Sequence, residues 1–416
     1  MKLKINQKLK LNSDNNWLFN ENLEFSSKME NKSSNNFGFK APKIGIIGGG
    51  QLGKMLSIEA KRLGMFVIVI DPTNECPASS VCDELITADF KDIDAIKKVS
   101  ERCDILTYEI ELANADFLEK LEQTGKIVHP SGKTLKIIQN KFRQKIFLLN
   151  NALPVPKFLR IDSFEDLLEK LKDFHGKAML KISEGSYDGR GNFPLVNKTR
   201  EQISEIYNSI KQFDIFIEEW VDFEKELSIM VARNERGEIK TFPVAENIHR
   251  DSILDISIVP ARIPQMIHSK IKELATKVLD TLQGSGVFGI ELFLTNSDEI
   301  LINEIAPRVH NSGHYTIEAC ETNQFQQHIR AICNLPLGST KLHKPAVMVN
   351  LLGRKSSEDS FYNNITDLLK VSGLSVHLYG KKEEKYKRKM GHFVIVDDSV
   401  EFALQKALEL KEKFSI

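Results

Sequence analysis

The chain has 416 residues, and its 57 basic and 57 acidic side chains cancel, so no global field draws it to nucleic acid or to an anionic membrane. No apolar run approaches the roughly 18 residues a membrane span needs, and the length allows two or three domains with a sizeable core. Five scattered cysteines without C-x-x-C spacing argue against a disulfide framework or a zinc site and for a reducing, cytosolic compartment.

Residues 1–41 form a leader whose first 40 positions hold nine Asn and five Ser. It shows no sustained apolar period, so burial cannot offset its ordering entropy and disorder is expected. Its four acids, lack of Arg and lack of an apolar h-region argue against a transit peptide or a secretory signal. From 42 to 132 apolar strands (KIGIIG, MFVIVID, LITAD, CDILTYE, KIVHP) alternate with amphipathic helices near 53–64, 92–101 and 114–124. That alternation predicts a Rossmann-like parallel sheet covered on both faces. The stretch IGIIGGGQLGKM fits strand, G-x-G-x-x-G turn and helix, with Asp71 ending the next strand, so a nicotinamide-binding oxidoreductase is one reading.

A helix from Lys133 to Asn150 opens the second region, 133–345, and LPVP then redirects the chain. A lid subdomain is expected at about 155–220, with helices near 163–174 and 199–211 around the strands AMLKI and IFIEEWV. Antiparallel strands ELSIMVARN and EIKTFPVAEN, a helix over 265–284 and the hairpin VFGIELFLTNSDEILINEIA follow. Residues 346–416 read as a small mixed domain closed by a helix at 399–413. The whole is α/β and α+β.

Three segments carry chemistry. A hairpin turn centred between Ser297 and Asp298 sets Glu291 opposite Glu304, on the face of Phe293 and Ile302. Opposed Cβ atoms lie about 4.5–5.5 Å apart, where like charges repel. The pair therefore needs a cation, a shared proton or a different register, unless the two are edge glutamates in water; a hard divalent metal would suit them. Lys181 and the loop Glu184 to Gly191 can cradle an anion, although a flexible surface hairpin reads equally well and the G-K-[ST] of a Walker loop is missing. In APRVHNSGH, Arg308, His310, Asn311, Ser312 and His314 crowd the strand exit after Glu304, and Arg suits bidentate recognition of carboxylate or phosphate.

The order of Lys141, Lys181 with SYDGRG, IEEWVDFEKE, ENIHRD, the glutamate pair and NEIAPRVHNSGH resembles the ATP-grasp ligases. With GGGQLGKM, TYEIE and the late YGK…RKMGH, the chain over roughly 43 to 412 resembles their 5-(carboxyamino)imidazole ribonucleotide synthase family of purine biosynthesis. The resemblance implies an ATP-grasp fold with an N-terminal pre-ATP-grasp domain, and an ATP- and bicarbonate-dependent carboxylation of 5-aminoimidazole ribonucleotide through carboxyphosphate. It also implies a cytoplasmic homodimer that binds small molecules and neither nucleic acid nor membrane.

Residue by residue, the resemblance implies that Lys141 and Lys181 contact ATP phosphates. Ser186, Tyr187, Asp188, Gly189, Arg190 and Gly191 would form the lid over them. Glu218, Glu219, Trp220 and Val221 would line the adenine, Glu226 would hold the ribose and His249 would sit near the phosphates. Glu291 and Glu304, with Asn303 adjacent, would bind Mg²⁺ or Mn²⁺. Arg308, His310 and Asn311 would hold bicarbonate and carboxyphosphate. Gln51 and Leu52 in the glycine turn, with Lys381 and Arg388, would hold the substrate's ribose phosphate; Glu109 and Asp188 would face its base and ribose. Asp71 then becomes a mere strand-end residue and the dehydrogenase reading recedes. Position 141 is Lys where the family often has Arg, and Ser186 stands where Gly is usual. The rival readings are a formate-dependent glycinamide ribonucleotide transformylase and a nucleotide-binding module without turnover.

Overall fold

In the computed structural model, which describes residues 40–185, 191–354, 356–357 and 365–413, the predicted alternation at the N-terminal end becomes a parallel sheet. Strands β1 (Lys43–Ile47), β2 (Phe66–Asp71), β3 (Glu84–Thr87), β4 (Ile105–Tyr108) and β5 (Ile127–Val128) lie in the order β3-β2-β1-β4-β5. Helices α1 (Gln51–Arg62), α2 (Ile93–Ser100) and α3 (Ala115–Gln123) connect them. The strand order reverses between β1 and β4, so the glycine turn after β1 and the TYEIE segment after β4 meet at the crevice where open α/β sheets bind ligands. The expectations for the leader and for Ser186, Tyr187, Asp188, Gly189 and Arg190 lie outside the described residues.

The single helix expected over 133–150 is two, α4 (Gly132–Ile138) and α5 (Lys141–Asn150). The break is tertiary: Asn140 bridges Glu184, Lys141 N–H donates to Ser183 O at 2.6 Å, and the Asn140 side chain caps α5 by accepting from Arg143 N–H. The lid is a four-stranded sheet of β6 (Phe158–Ile161), β7 (Ala178–Ile182), β8 (Asn192–Pro194) and β9 (Ile215–Glu219), ordered β6-β9-β7-β8, with α6 (Phe164–Lys172) and α7 (Arg200–Ile210).

The central strands are β10 (Phe223–Arg233), β11 (Ile239–Thr241), β12 (Ala245–Arg250), β13 (Ile253–Val259), β14 (Gly286–Thr295) and β15 (Ile300–Ala306), with α8 (Gln265–Leu282) packed below. EIKTFPVAEN is split at Phe242–Val244, where Pro243 cannot donate to the ladder, and DSILDISIV forms a strand that periodicity did not single out. After α9 (Thr316–Ala319) and α10 (Gln324–Ile332) come β16 (Ala346–Leu352), α11 (Ile365–Leu369), β17 (Leu374–Leu378), β18 (Lys389–Val396) and α12 (Val400–Lys413). β16 pairs with β13, Ile256 opposite Val349, so the last region extends the central sheet to nine strands instead of forming a sheet of its own. One apolar core likewise joins Ile44 and Leu56 of the first region to Phe325, Ile329 and Met348 of the later ones. Residues from Ala41 onward thus make one compact unit. Among the described residues no helix is long and apolar enough to cross a membrane.

Candidate active site

The hairpin sets Glu291 opposite Glu304, but by a route different from the one expected. Its loop is the three residues Asn296 to Asp298, closed by Thr295 N–H to Glu299 O at 3.0 Å, with Asp298 in the left-handed region at φ 60°. That turn alone would slip the register by one. A bulge at Asn303 inserts one residue and restores the glutamate pairing. The bulge also moves Ile302 to the opposite face: it pairs with Leu292 in the core, while the glutamates share a face with Phe293 and Leu301. Burial and then the charge of Glu304 push the Glu291 carboxyl up. For Glu304 the effect of burial is outweighed by Lys141, whose Nζ lies 2.9 Å away, and its carboxyl is held low.

Helix α5 is the hub of this cluster. Lys141 and Lys145, one turn apart on one face, point at the hairpin, and between them Gln144 clips α5 to β15 through Ile305 N–H (2.8 Å) and Ile305 O (3.1 Å). Lys145, only 2% exposed, donates to Asn303 O at 3.2 Å and sits 2.5 Å from Glu218 Oε2. Lys181, at the end of β7, takes the other oxygen of Glu218. Burial opposes ionisation of Glu218, yet the two lysines hold its carboxyl below the ordinary range. The Glu218 side chain thus neutralises lysines, and its backbone groups remain at the start of the link expected to line the adenine. Glu219 ends β9 exposed, Trp220 follows on the exposed link to β10, Val221 is half-buried, and Phe223 and Phe293 stack at 4.9 Å beside them. Gly191 O accepts from Ile182 N–H at 2.9 Å and fixes the far end of the loop to the lid sheet. Glu226 Oε2 lies 2.6 Å from His249 Nδ1; burial would lower that imidazole, but the carboxylate keeps it raised.

At the strand exit, Arg308 Nη2 pairs with Glu111 Oε1 at 3.0 Å, and its Nε is buried with no acceptor among the described residues. His310 Nε2 is 3.5 Å from Glu291, and burial followed by Arg308 drives this imidazole well below its usual range, so it is neutral. Asn311 is turned elsewhere. Its amide exchanges hydrogen bonds with Asn350 of β16 at 3.0 and 2.7 Å, buried, which fixes its orientation and positions the loop. His314 is likewise core, stacked 4.6 Å from His392.

In the glycine turn, Asp71 accepts Gly49 N–H at 2.8 Å and Glu109 accepts Gly50 N–H at 2.6 Å. Asp71 is thus no idle strand-end residue; it fixes the turn. Burial raises the Glu109 carboxyl to about 7 against the pull of that N–H. The first intrahelical bond of α1 is Lys54 N–H to Gly50 O, which leaves Gln51 and Leu52 N–H facing the N-terminal end, where anions bind. The Leu52 side chain itself is buried in the core. The segment from Tyr379 to Arg388 lies against this turn: Lys54 Nζ donates to Tyr379 O at 3.3 Å and Lys382 pairs with Glu75 at 2.9 Å. Lys381 donates to Lys389 O at 2.7 Å, and Arg388 to Glu383 O at 2.9 Å.

Three family models match in sequence: the ribonucleotide synthetase preATP-grasp domain over 41–139, the ATP-grasp domain over 146–325 and the phosphoribosylaminoimidazole carboxylase C-terminal domain over 346–406. The chain is 44% identical over 354 residues to the N5-carboxyaminoimidazole ribonucleotide synthase of Bacillus subtilis, covering 85% of this chain and 91% of that one. The chain belongs to the N5-carboxyaminoimidazole ribonucleotide synthase family. As an ATP-grasp ligase of that family it works in purine biosynthesis. The crystal structure of the synthetase from Thermotoga maritima superposes with a TM-score of 0.80 at 48% identity, covering 90% of this chain and 99% of the other. An Aspergillus clavatus synthase solved with ADP and 5-aminoimidazole ribonucleotide gives 0.81 at 32% identity, covering 89% and 98%.

The sequence reading missed Lys145, Glu111 and Asn350. Lys145 was legible in principle, because K-F-R-Q-K places two lysines one helical turn apart. The other two act only through partners distant in sequence.

Proposed function

We propose that this synthase-family chain joins bicarbonate to the exocyclic amine of 5-aminoimidazole ribonucleotide at the expense of ATP, with the site residues in the following roles. The reading rests on one observation above all: the opposed Glu291 and Glu304 beside Lys141 and Lys181. Two carboxylates forced together, one of them pushed up by burial and the other's charge, fit a hard divalent cation, and Mg²⁺ takes one or two carboxylates plus substrate phosphates. No cluster of three or more His, Cys, Asp or Glu ligands occurs among the described residues, which suits a cation completed by ATP. Mg²⁺, or Mn²⁺ in its place, supplies charge neutralisation to the phosphates when bound there.

Lys141 and Lys181 neutralise the triphosphate, and the link from Glu218 to Val221 offers backbone groups to adenine. The γ-phosphoryl group passes to a bicarbonate oxygen, giving carboxyphosphate and ADP; this is positioning and electrostatics more than covalent catalysis. Arg308, with a buried N–H lacking an acceptor among the described residues, holds that anion beside neutral His310. The ribose phosphate of the substrate nucleotide sits on the turn at Gln51 and Leu52 with Lys381 and Arg388 closing over it, and Glu109 faces the aminoimidazole. The amine nitrogen then bonds to the carboxyl carbon, phosphate leaves and the amine loses a proton. A cytosolic homodimer belongs to the same proposal.

The test is ADP release and nucleotide consumption with ATP, Mg²⁺, bicarbonate and 5-aminoimidazole ribonucleotide, with formate as the control anion. Glu304→Gln is expected to lower turnover by at least about 10²-fold while keeping the melting temperature within a few degrees. ADP release indifferent to the nucleotide, or full activity in Glu304→Gln, would refute the assignment.

A further inference from the structure

Lys145 has no part in the roles just described, yet it is the most enclosed cation in the cluster. Its side chain is 2% exposed, its Nζ lies 2.5 Å from Glu218 Oε2, and it donates to the bulge carbonyl of Asn303 at 3.2 Å. Glu218 is itself 3% exposed at its side chain and divides its two oxygens between Lys145 and Lys181. Two ammonium groups therefore share one buried carboxylate. Those lysines are the only ion-pair partners of Glu218 among the described residues.

This sharing bears on how Lys181 can serve ATP. A buried carboxylate stripped of every cation is strongly disfavoured. If Lys181 alone neutralised Glu218, drawing its ammonium toward a phosphate would leave the carboxylate bare in a low-dielectric site. With Lys145 on the second oxygen, Glu218 keeps a partner when Lys181 turns away. We propose that Lys145 is a positioning residue that holds Glu218 neutralised and thereby releases Lys181 to the phosphates of ATP. The inference rests on the reading of Lys181 as a phosphate contact. It also accounts for the link to Asn303, since the same ammonium ties the Lys181–Glu218 pair to the strand that bears Glu304.

The experiment is a double-mutant cycle on the full chain, reading ATP affinity by calorimetry with Mg²⁺ present and bicarbonate and nucleotide absent. Lys145→Met removes the second cation at similar size and is expected to weaken ATP on the order of 10²-fold, because Lys181 is then captive to Glu218. Adding Glu218→Gln removes the captor, and the double variant is expected to bind ATP within about threefold of Glu218→Gln alone. A Lys145 that served only to brace the bulge would give no such rescue, and a double variant as weak as Lys145→Met would overturn the proposal. If Lys145→Met does not fold, Lys145→Gln carries the same cycle, and a double variant with Glu218→Gln as weak as Lys145→Gln alone would overturn the proposal. Lys181→Met separates the two levels. Unchanged ATP affinity in that variant sinks the phosphate reading itself, whereas a loss there with none in Lys145→Met sinks only the role of Lys145.

Discussion

Glu109 offers a measurable consequence of burying an acid against a glycine turn. Its carboxyl is raised from 4.5 to about 7, chiefly by burial, with Asp71 adding and Gly50 N–H, Arg308 and Lys381 opposing. Between those two values the folded chain holds a proton that the unfolded chain has released, so stability falls as pH rises through the interval and stays lowered above it. At roughly 1.4 kcal/mol per pH unit, the loss is on the order of 3 kcal/mol, complete by about pH 7.5. Glu109→Gln cannot ionise, yet its amide oxygen can still accept Gly50 N–H. The variant should match the parent near pH 4.5 and exceed it by up to about 3 kcal/mol at pH 8. Urea unfolding of the ligand-free proteins at four or five pH values reads this directly. His249 and Glu291 also have raised values, but they are common to both proteins and cancel in the difference. A stability difference that is flat with pH, or a variant weaker than the parent at pH 8, would show that the buried carboxyl is not what the pH dependence reports.

Two further outcomes follow from the same contacts. A Cβ on Gly50 would meet Glu109 Oε1 at 2.7 Å, and since that backbone has φ −67° the clash is with the side chain alone; Gly50→Ala should fold, raise KM for the nucleotide substrate about tenfold and leave KM for ATP unchanged in steady-state assays. Removing Asn350, whose amide pairs with Asn311, strands a buried polar group, so Asn350→Ala should cost about 1–3 kcal/mol in urea unfolding.

The local pattern of the chain determined a good deal. Alternating apolar strands and helices led to the five parallel strands around the glycine turn, because period-two and period-3.6 patterns report directly which faces are buried. Lys181, Glu291, Glu304 and Arg308 stood out because charged groups beside apolar strands call for a purpose, whereas Lys141 came only from the resemblance. The order of motifs carried the family, and the family models and relatives bear it out.

What only the tertiary structure decided depends on groups far apart in the chain. The bulge at Asn303 restores a register that the turn by itself would have lost, and no residue type there announces it. The break before Lys141 exists because Glu184 pairs with Asn140. Asn350 holds the Asn311 amide from a distant strand, and two lysines from separate elements share the Glu218 carboxylate. β16, which opens the C-terminal domain, joins the central sheet by pairing with β13. In each case short-range patterning specifies what a segment can become, and the free energy of satisfying a buried donor, acceptor or charge selects which neighbour it finds.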